Sequence, residues 1–206
     1  MKKKLLAGLA IGLFMIGITG MSEATILTFD DIPGTSQNTY GYIAGSYGGF
    51  DFAGNSYLAY PLWVDTVGMH SYNQGSISGD FTMYSYGVTT ITSSTNKDFT
   101  FDGLYARDWY SSRGSLDIEG YNNGSLVWNS NFTLNSNWDY VVGSSIMLDE
   151  LRLIGTSNYS NNNFLVDNLA LNETAPVPEP STMLLFGTGL VGLVVSRIRR
   201  KKKIIV

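Results

Sequence analysis

The sequence predicts an all-β protein, an antiparallel β-sandwich of the jelly-roll kind with roughly eight to ten strands, flanked by an N-terminal signal peptide and a single C-terminal transmembrane helix. Three observations carry this. Nowhere between Thr25 and Asn172 do apolar residues keep a helical period over three turns. Short alternating runs appear instead, cut at close intervals by Gly, Asn and Ser. Both ends break with that texture, being apolar stretches beside lysines and arginines. A repeat of fixed period is missing, which argues against propellers and solenoids.

Met1–Lys4 is a basic n-region, Leu5–Gly20 an apolar h-region, and Ser22-Glu23-Ala24 supplies small residues for cleavage after Ala24. Residues 1–24 therefore read as a secretory signal peptide, with an uncleaved N-terminal anchor as the competing reading. The ectodomain, residues 25–172, opens with an alternation over Thr25–Asp31 that puts Leu27 and Phe29 on one face. Tyr40–Gly54, rich in glycine and aromatics, reads as a long loop or an irregular edge. Phe81–Tyr84 and Val88–Thr92 read as strands, as do Phe99–Phe101 and Leu104–Ala106 on either side of a turn at Asp102-Gly103. Leu116 and Ile118 point one way while Asp117 and Glu119 point the other, as in a half-buried antiparallel strand. Asn122-Asn123-Gly124 makes a tight hairpin turn into Ser125–Trp128. Leu148–Ile154 and Asn163–Leu171 are the last strands. In the second of these Phe164 and Val166 share one parity and Leu169 and Leu171 the other, which a β-bulge at Asp167-Asn168 would reconcile. Residues 173–180 form a proline-containing linker, and residues 181–203 a C-terminal helix with a basic stop.

The charges are segregated. Thr25–Ala175 holds four basic residues (Lys97, Arg107, Arg113 and Arg152) against fifteen acidic ones, a net −11, although the whole chain carries only −4. Such a surface repels phosphate backbones, which argues against nucleic acid as a partner, and it attracts divalent cations. First and last strands of a sandwich often lie side by side, which would bring Asp30 and Asp31 near Asp167. Clustered carboxylate oxygens suit calcium, so these three are a candidate metal site, with a capped turn and surface acids as the competing reading.

The chemistry of other sites is sparse. The chain has no cysteine, so disulfides and thiolate chemistry are excluded. His70 is its only histidine and has no nucleophile elbow beside it; Gly75-Ser76-Ile77-Ser78-Gly79 carries isoleucine where the serine would stand. Carboxylate pairs such as Asp149-Glu150 are frequent, and a glycosidase is defined by their separation rather than their presence. Gly45-Ser46-Tyr47-Gly48-Gly49 lacks the lysine of a phosphate-cradling loop. Trp63 and Trp109 lie in polar, loop-like surroundings and are candidate solvent-facing platforms for stacking on sugar rings. Trp128 follows the inward phase of Leu126 and reads as core.

The tail is the most specific stretch. Val177-Pro178-Glu179-Pro180-Ser181-Thr182 precedes an almost wholly apolar run, Met183–Ser196, and then Arg197-Ile198-Arg199-Arg200-Lys201-Lys202-Lys203. The prolines hold the first part extended. Fourteen residues as a helix span about 21 Å against about 30 Å of hydrocarbon, a marginal anchor, and the basic run stays cytoplasmic. In this order of features the tail resembles the PEP-CTERM sorting signal of Gram-negative bacteria, also catalogued as the C-terminal segment of some ice-binding proteins. The resemblance implies recognition of Pro178, Glu179 and Pro180 in the inner membrane by an exosortase, removal of the tail, and passage toward the cell surface. An ordinary C-terminal anchor is the competing reading.

The middle of the chain also resembles the jelly-roll ectodomains of PEP-CTERM proteins, which look like galactose-binding carbohydrate modules. The matching pieces are Thr28-Phe29-Asp30-Asp31, Phe99–Leu104, Leu116–Gly124 and Phe164–Leu169. The resemblance implies a fold and a binding habit. The expectation is an exported, Sec-dependent surface or matrix protein, a non-catalytic binding or structural component associated with extracellular polysaccharide or biofilm. A purely structural coat protein and a secreted polysaccharide hydrolase are the alternatives. A flat ice-binding surface is not expected, because the ectodomain has no regular threonine array.

Overall fold

The computed structural model describes residues 24–55, 59–68, 75–109, 114–156 and 162–173. These fall within one compact unit, Ser22–Thr174; the other unit, Met1–Met21 with Ala175–Val206, lies outside the described residues. The expected signal peptide, His70, Arg113, the Pro178-Glu179-Pro180 motif and the C-terminal helix with its basic stop lie outside the described residues. Among the described residues no helix is long and apolar enough to cross a membrane.

Among the described residues thirteen strands run β1 (Thr25–Leu27), β2 (Tyr40–Tyr42), β3 (Ser46–Tyr47), β4 (Phe50–Ala53), β5 (Leu62–Asp65), β6 (Phe81–Tyr86), β7 (Val88–Ser93), β8 (Phe99–Asp108), β9 (Ser115–Asn122), β10 (Ser125–Thr133), β11 (Asp139–Leu148), β12 (Glu150–Thr156) and β13 (Asn163–Glu173). They form two antiparallel sheets. Sheet A has the order β11-β8-β13-β6-β5-β2, with β1 pairing β13, and sheet B the order β10-β9-β12-β7-β4-β3. The architecture is the all-β, jelly-roll-like sandwich that the alternating pattern predicts.

Several elements differ from the sequence reading. The strands number more than ten because Tyr40–Gly54, expected as a loop, supplies three short ones, β2, β3 and β4. The expected turn at Asp102-Gly103 does not form; β8 runs straight through it, and Gly103 at φ +149 absorbs a register shift against β13. A break does form at Asp149, whose amide bonds to the carbonyl of Tyr121, so β11 and β12 are separate where one strand was expected. β1 stops early because Phe29 turns to φ +65, and its N–H donates to the Tyr47 hydroxyl at 3.0 Å.

The core lies between the sheets and is aromatic. Phe50 on β4 meets Phe99 on β8 edge to face at 5.3 Å, and Phe101 on β8 meets Trp128 on β10 at 5.8 Å. Each such pair ties one sheet to the other and adds about 0.5–1.5 kcal/mol beyond the area it buries. Trp128 faces inward, as expected, but through a bulge at Val127 that leaves Leu126 outside, 51% exposed.

Sheet A is covered on its outer face as well. Leu62, Tyr84 and Leu165 stand in one cross-strand row there, and with Val64, Trp109 and Trp138 they form a second apolar cluster. Trp138 donates its indole N–H to the carbonyl of Gly75 at 3.2 Å, which pins residues near 75 over the cluster. Burial on both faces is why Asn163–Asp167 is buried at five consecutive positions rather than at alternate ones. Among the described residues the outer face of sheet B is open and polar.

Candidate functional site

On that open face the register sets the side chains in rows. Thr92 of β7 lies beside Glu150 of β12, and Glu150 beside Tyr121 of β9. One step along, Thr90, Arg152 and Glu119 form the next row, and Asn129 of β10 continues it. Alternation does this: Leu151, Leu153, Leu116 and Ile118 go into the core, so their neighbours must face out.

Four of these side chains interlock. The Arg152 guanidinium lies 4.3 Å from the centre of the Tyr121 ring, and its Nε donates to Glu150 Oε1 at 2.5 Å. The Tyr121 hydroxyl donates to Glu119 Oε2 at 2.7 Å. That hydrogen bond, above all, raises the Tyr121 pKa above the usual phenol value. Partial burial lowers the Arg152 pKa, but the hydrogen bond and charge of Glu150 outweigh it and the net shift is upward. Arg152 and Glu150 are thus charge-paired, and the quartet sets a cation over an aromatic face flanked by two carboxylates.

Beside the quartet opens a cleft of about 510 Å³. Its walls combine Tyr121, Glu150 and Arg152 with Thr92, Ser93 and Asn96, and its far rim carries Lys97, Asp98, Asn123 and Asp149. Asp149 fixes the rim by accepting from the amide of Asn123 at 2.7 Å, within the Asn123-Gly124 turn where both residues take positive φ. Hydroxyls, amides, two cations and three carboxylates share one concavity, a convergent polar lining. The sequence reading recognised Asp149-Glu150 only as one carboxylate pair among many and did not single out Tyr121 or Arg152. Their register across β9 and β12 brings them together, and no local motif marks it.

The expected site residues fall elsewhere. Trp63 and Trp109 are each only 6% exposed, which corrects the expectation of solvent-facing rings. Trp63 lies over its strand partner Gly41, where an added Cβ would stand 2.7 Å from the indole, and meets Phe81 edge to face at 5.6 Å. Trp109 meets Tyr84 at 4.8 Å in the outer cluster of sheet A.

β1 and β13 do pair, with Leu27 opposite Leu169, and the bulge at Asp167-Asn168 is present, Asn168 taking φ +48. Yet the three aspartates do not gather around one point. Asp30 Oδ1 accepts from the amides of Asp80 and Phe81 at 2.9 and 3.1 Å. Asp31 accepts from the Tyr47 hydroxyl at 2.5 Å, and burial raises the pKa of that phenol. Asp167 is wholly buried and accepts from the amides of Ile77, Ser78 and Asn168 at 2.7, 3.0 and 2.7 Å. Amide donors on Asp30 and Asp167 and a phenol hydroxyl on Asp31 already meet these carboxylates, which stabilises the charge without a cation. Among the described residues no group of three or more His, Cys, Asp or Glu is placed to hold a metal ion, so the calcium expectation is corrected.

The described residues thus define a class, an all-β two-sheet sandwich with one open polar face. Beyond them, residues 176–201 match the PEP-CTERM protein-sorting motif. The chain carries this signal, which marks a protein exported and sorted by an exosortase. No curated protein matches the chain. Among solved structures it is similar to a Stig cyclase, Fisc from Fischerella sp. TAU, at 13% identity and a TM-score of 0.49, covering 74% of this chain and 98% of that one. It is also similar to TmCBM61 in complex with β-1,4-galactotriose, at 6% identity and a TM-score of 0.38, covering 61% and 88%. A third, a CBM51 from Clostridium perfringens in complex with methyl-galactose, has 14% identity and a TM-score of 0.35, covering 65% and 99%.

Proposed function

We propose that the protein is a non-catalytic polysaccharide-binding component of the cell surface or extracellular matrix, engaging its ligand on the outer face of sheet B. It leaves the cytoplasm by the Sec route behind residues 1–24, pauses in the inner membrane on its C-terminal helix, and is cut by an exosortase near Pro178-Glu179-Pro180. The ligand is an extracellular polysaccharide of a biofilm layer. The observation that carries the binding reading is the cleft beside Tyr121 and Arg152. A sugar presents many hydroxyls, each donor and acceptor at once, and this lining offers both kinds of partner on a rigid strand framework.

The test is retention on immobilised polysaccharides, run together with an assay for released reducing ends. The wild-type chain is expected to be retained without releasing sugar. Tyr121→Ala and Arg152→Ala should each weaken retention by about tenfold or more, the effect of about 1.4 kcal/mol, because they remove the ring and the cation that shape the cleft. Retention unaffected by both substitutions would place binding elsewhere. Release of reducing ends would replace the reading with a hydrolase.

A further inference from the structure

The two sides of the sandwich are closed in opposite ways. One side ends in β2 and β3, three and two residues long. The other ends in β10 and β11, nine and ten residues long, and β10 pairs only with β9 among the described residues. Long open edges present alternate unpaired N–H and C=O groups, and proteins ordinarily blunt them with lysine, proline or inward charges. β10 has none of these. Ser125-Leu126-Val127-Trp128-Asn129-Ser130-Asn131-Phe132-Thr133 carries no charge at all, in a domain with fifteen carboxylates. After the bulge at Val127 its register is unbroken from Trp128 to Thr133. On the same side Leu126, Val127, Tyr140, Val142 and Ile146 are 40–71% exposed.

We propose that this edge is a self-association surface, where β10 of one copy pairs antiparallel with β10 of a second about a two-fold axis. The occupant follows from the charge. A domain of net −11 repels its own copies everywhere except along an uncharged strip, and β10 is such a strip. The register follows from the alternation. Trp128 and Phe132 face the core, whereas Asn129 and Asn131 face solvent. Residues opposite one another in an antiparallel pair share a face, so the two-fold must fall on a residue. Placing it at Ser130 sets Trp128 opposite the copy's Phe132 and Asn129 opposite the copy's Asn131, an aromatic pair inside and an amide pair outside. Sheet B then continues from one copy into the next. Its open polar face doubles in width, with Asn129 and Asn131 at the seam. The pairing stands whether or not that face binds a polysaccharide.

The full chain purified in detergent tests this by sedimentation, and it is expected to run as two copies. Under mild oxidant Ser130→Cys should give a disulfide-linked species of twice the chain mass, because opposed Cα atoms lie about 4.5–5.5 Å apart, within disulfide reach. The chain has no other cysteine. Asn129→Cys should not cross-link, since its own copy lies on the diagonal, about 7–8 Å away. N129K/N131K should run as one copy with an unchanged or raised melting temperature. Each new lysine faces Glu119 or Asp117 within its own sheet but another lysine across the axis. Wild-type chain running as one copy would overturn the proposal. So would equal cross-linking by Ser130→Cys and Asn129→Cys, or an N129K/N131K chain that stays paired.

Discussion

Asp167 is wholly buried, and burial raises its pKa above the usual aspartate value of 3.8, although four hydrogen bonds oppose the shift. The carboxylate is the hub that holds residues 77 and 78 against β13, much as Asp65 holds the amides of Asn38, Val67 and Gly68 at 2.5–3.1 Å. A raised folded-state pKa means the folded chain binds a proton more tightly than the unfolded one. Stability contributed by this group is therefore greatest at low pH and falls as pH rises from 3.8 through the folded value. Melting curves of wild type and Asp167→Asn across that range isolate the effect, since asparagine does not titrate. Wild type should lose stability relative to the variant as pH rises; a constant difference would show that the amide donors cancel the desolvation. The bulge at Asp167 was legible in sequence but the burial of its carboxylate was not, because the amides that reach it belong to Ile77 and Ser78, distant in the chain. Trp63 and Trp109 misled for the same reason. Trp63 lies close to Asp65 and Thr66 and Trp109 follows Arg107-Asp108, yet both are buried by Gly41, Phe81 and Tyr84, distant in the chain.

At the scale of elements, two glycines separate conformational need from space. Gly124 takes φ +72 in the β9–β10 hairpin, and an added Cβ there meets nothing within 4 Å. Gly143 of β11 has no positive φ, but an added Cβ would run into the backbone of Phe101 and Asp102 in β8. Gly124→Ala should cost about 1 kcal/mol through backbone strain alone. Gly143→Ala should cost more and disturb the β8–β11 ladder, because backbone cannot step aside as a side chain can. Denaturant midpoints rank the two, and amide exchange protection at Phe101 and Leu104 shows whether the ladder has opened. The hairpin was readable because Asn-Gly dictates its own turn. β9 was readable because its alternation is strict. β8 was misread at Asp102-Gly103, since a glycine that relieves a register shift looks locally like a turn. β5 and β11 went unrecognised because neighbours in sheet A, not their own pattern, decide which of their residues are covered. The Tyr121–Arg152 cleft belongs to this group, being assembled from three strands by register.

Across the whole molecule the chain is divided by charge, an exported domain of net −11 followed by a tail that carries the basic run Arg197–Lys203. Such a division suits a chain whose basic end remains cytoplasmic while the acidic part crosses. Residues 176–201 match the PEP-CTERM protein-sorting motif, and within them Pro178-Glu179-Pro180 cannot take up a regular hydrogen-bonded helix. A stretch that the prolines keep out of a helix is what a processing enzyme can bind. In the proposed reading the fourteen residues Met183–Ser196, taken as a helix, would span about 21 Å against about 30 Å of hydrocarbon, enough to pause in the bilayer and too little to anchor firmly. Replacing Pro178-Glu179-Pro180 by three alanines removes the recognition element and lets the helix lengthen outward, two changes that both favour retention. The variant is expected to accumulate at full length in the inner membrane, while wild type appears shortened at the surface or in the medium. Cell fractionation with an antibody against the sandwich, followed by a mass measurement of the C-terminus, reads both outcomes. Wild type that keeps its Lys203 end in the inner membrane of a cell containing the exosortase would reduce the tail to an anchor.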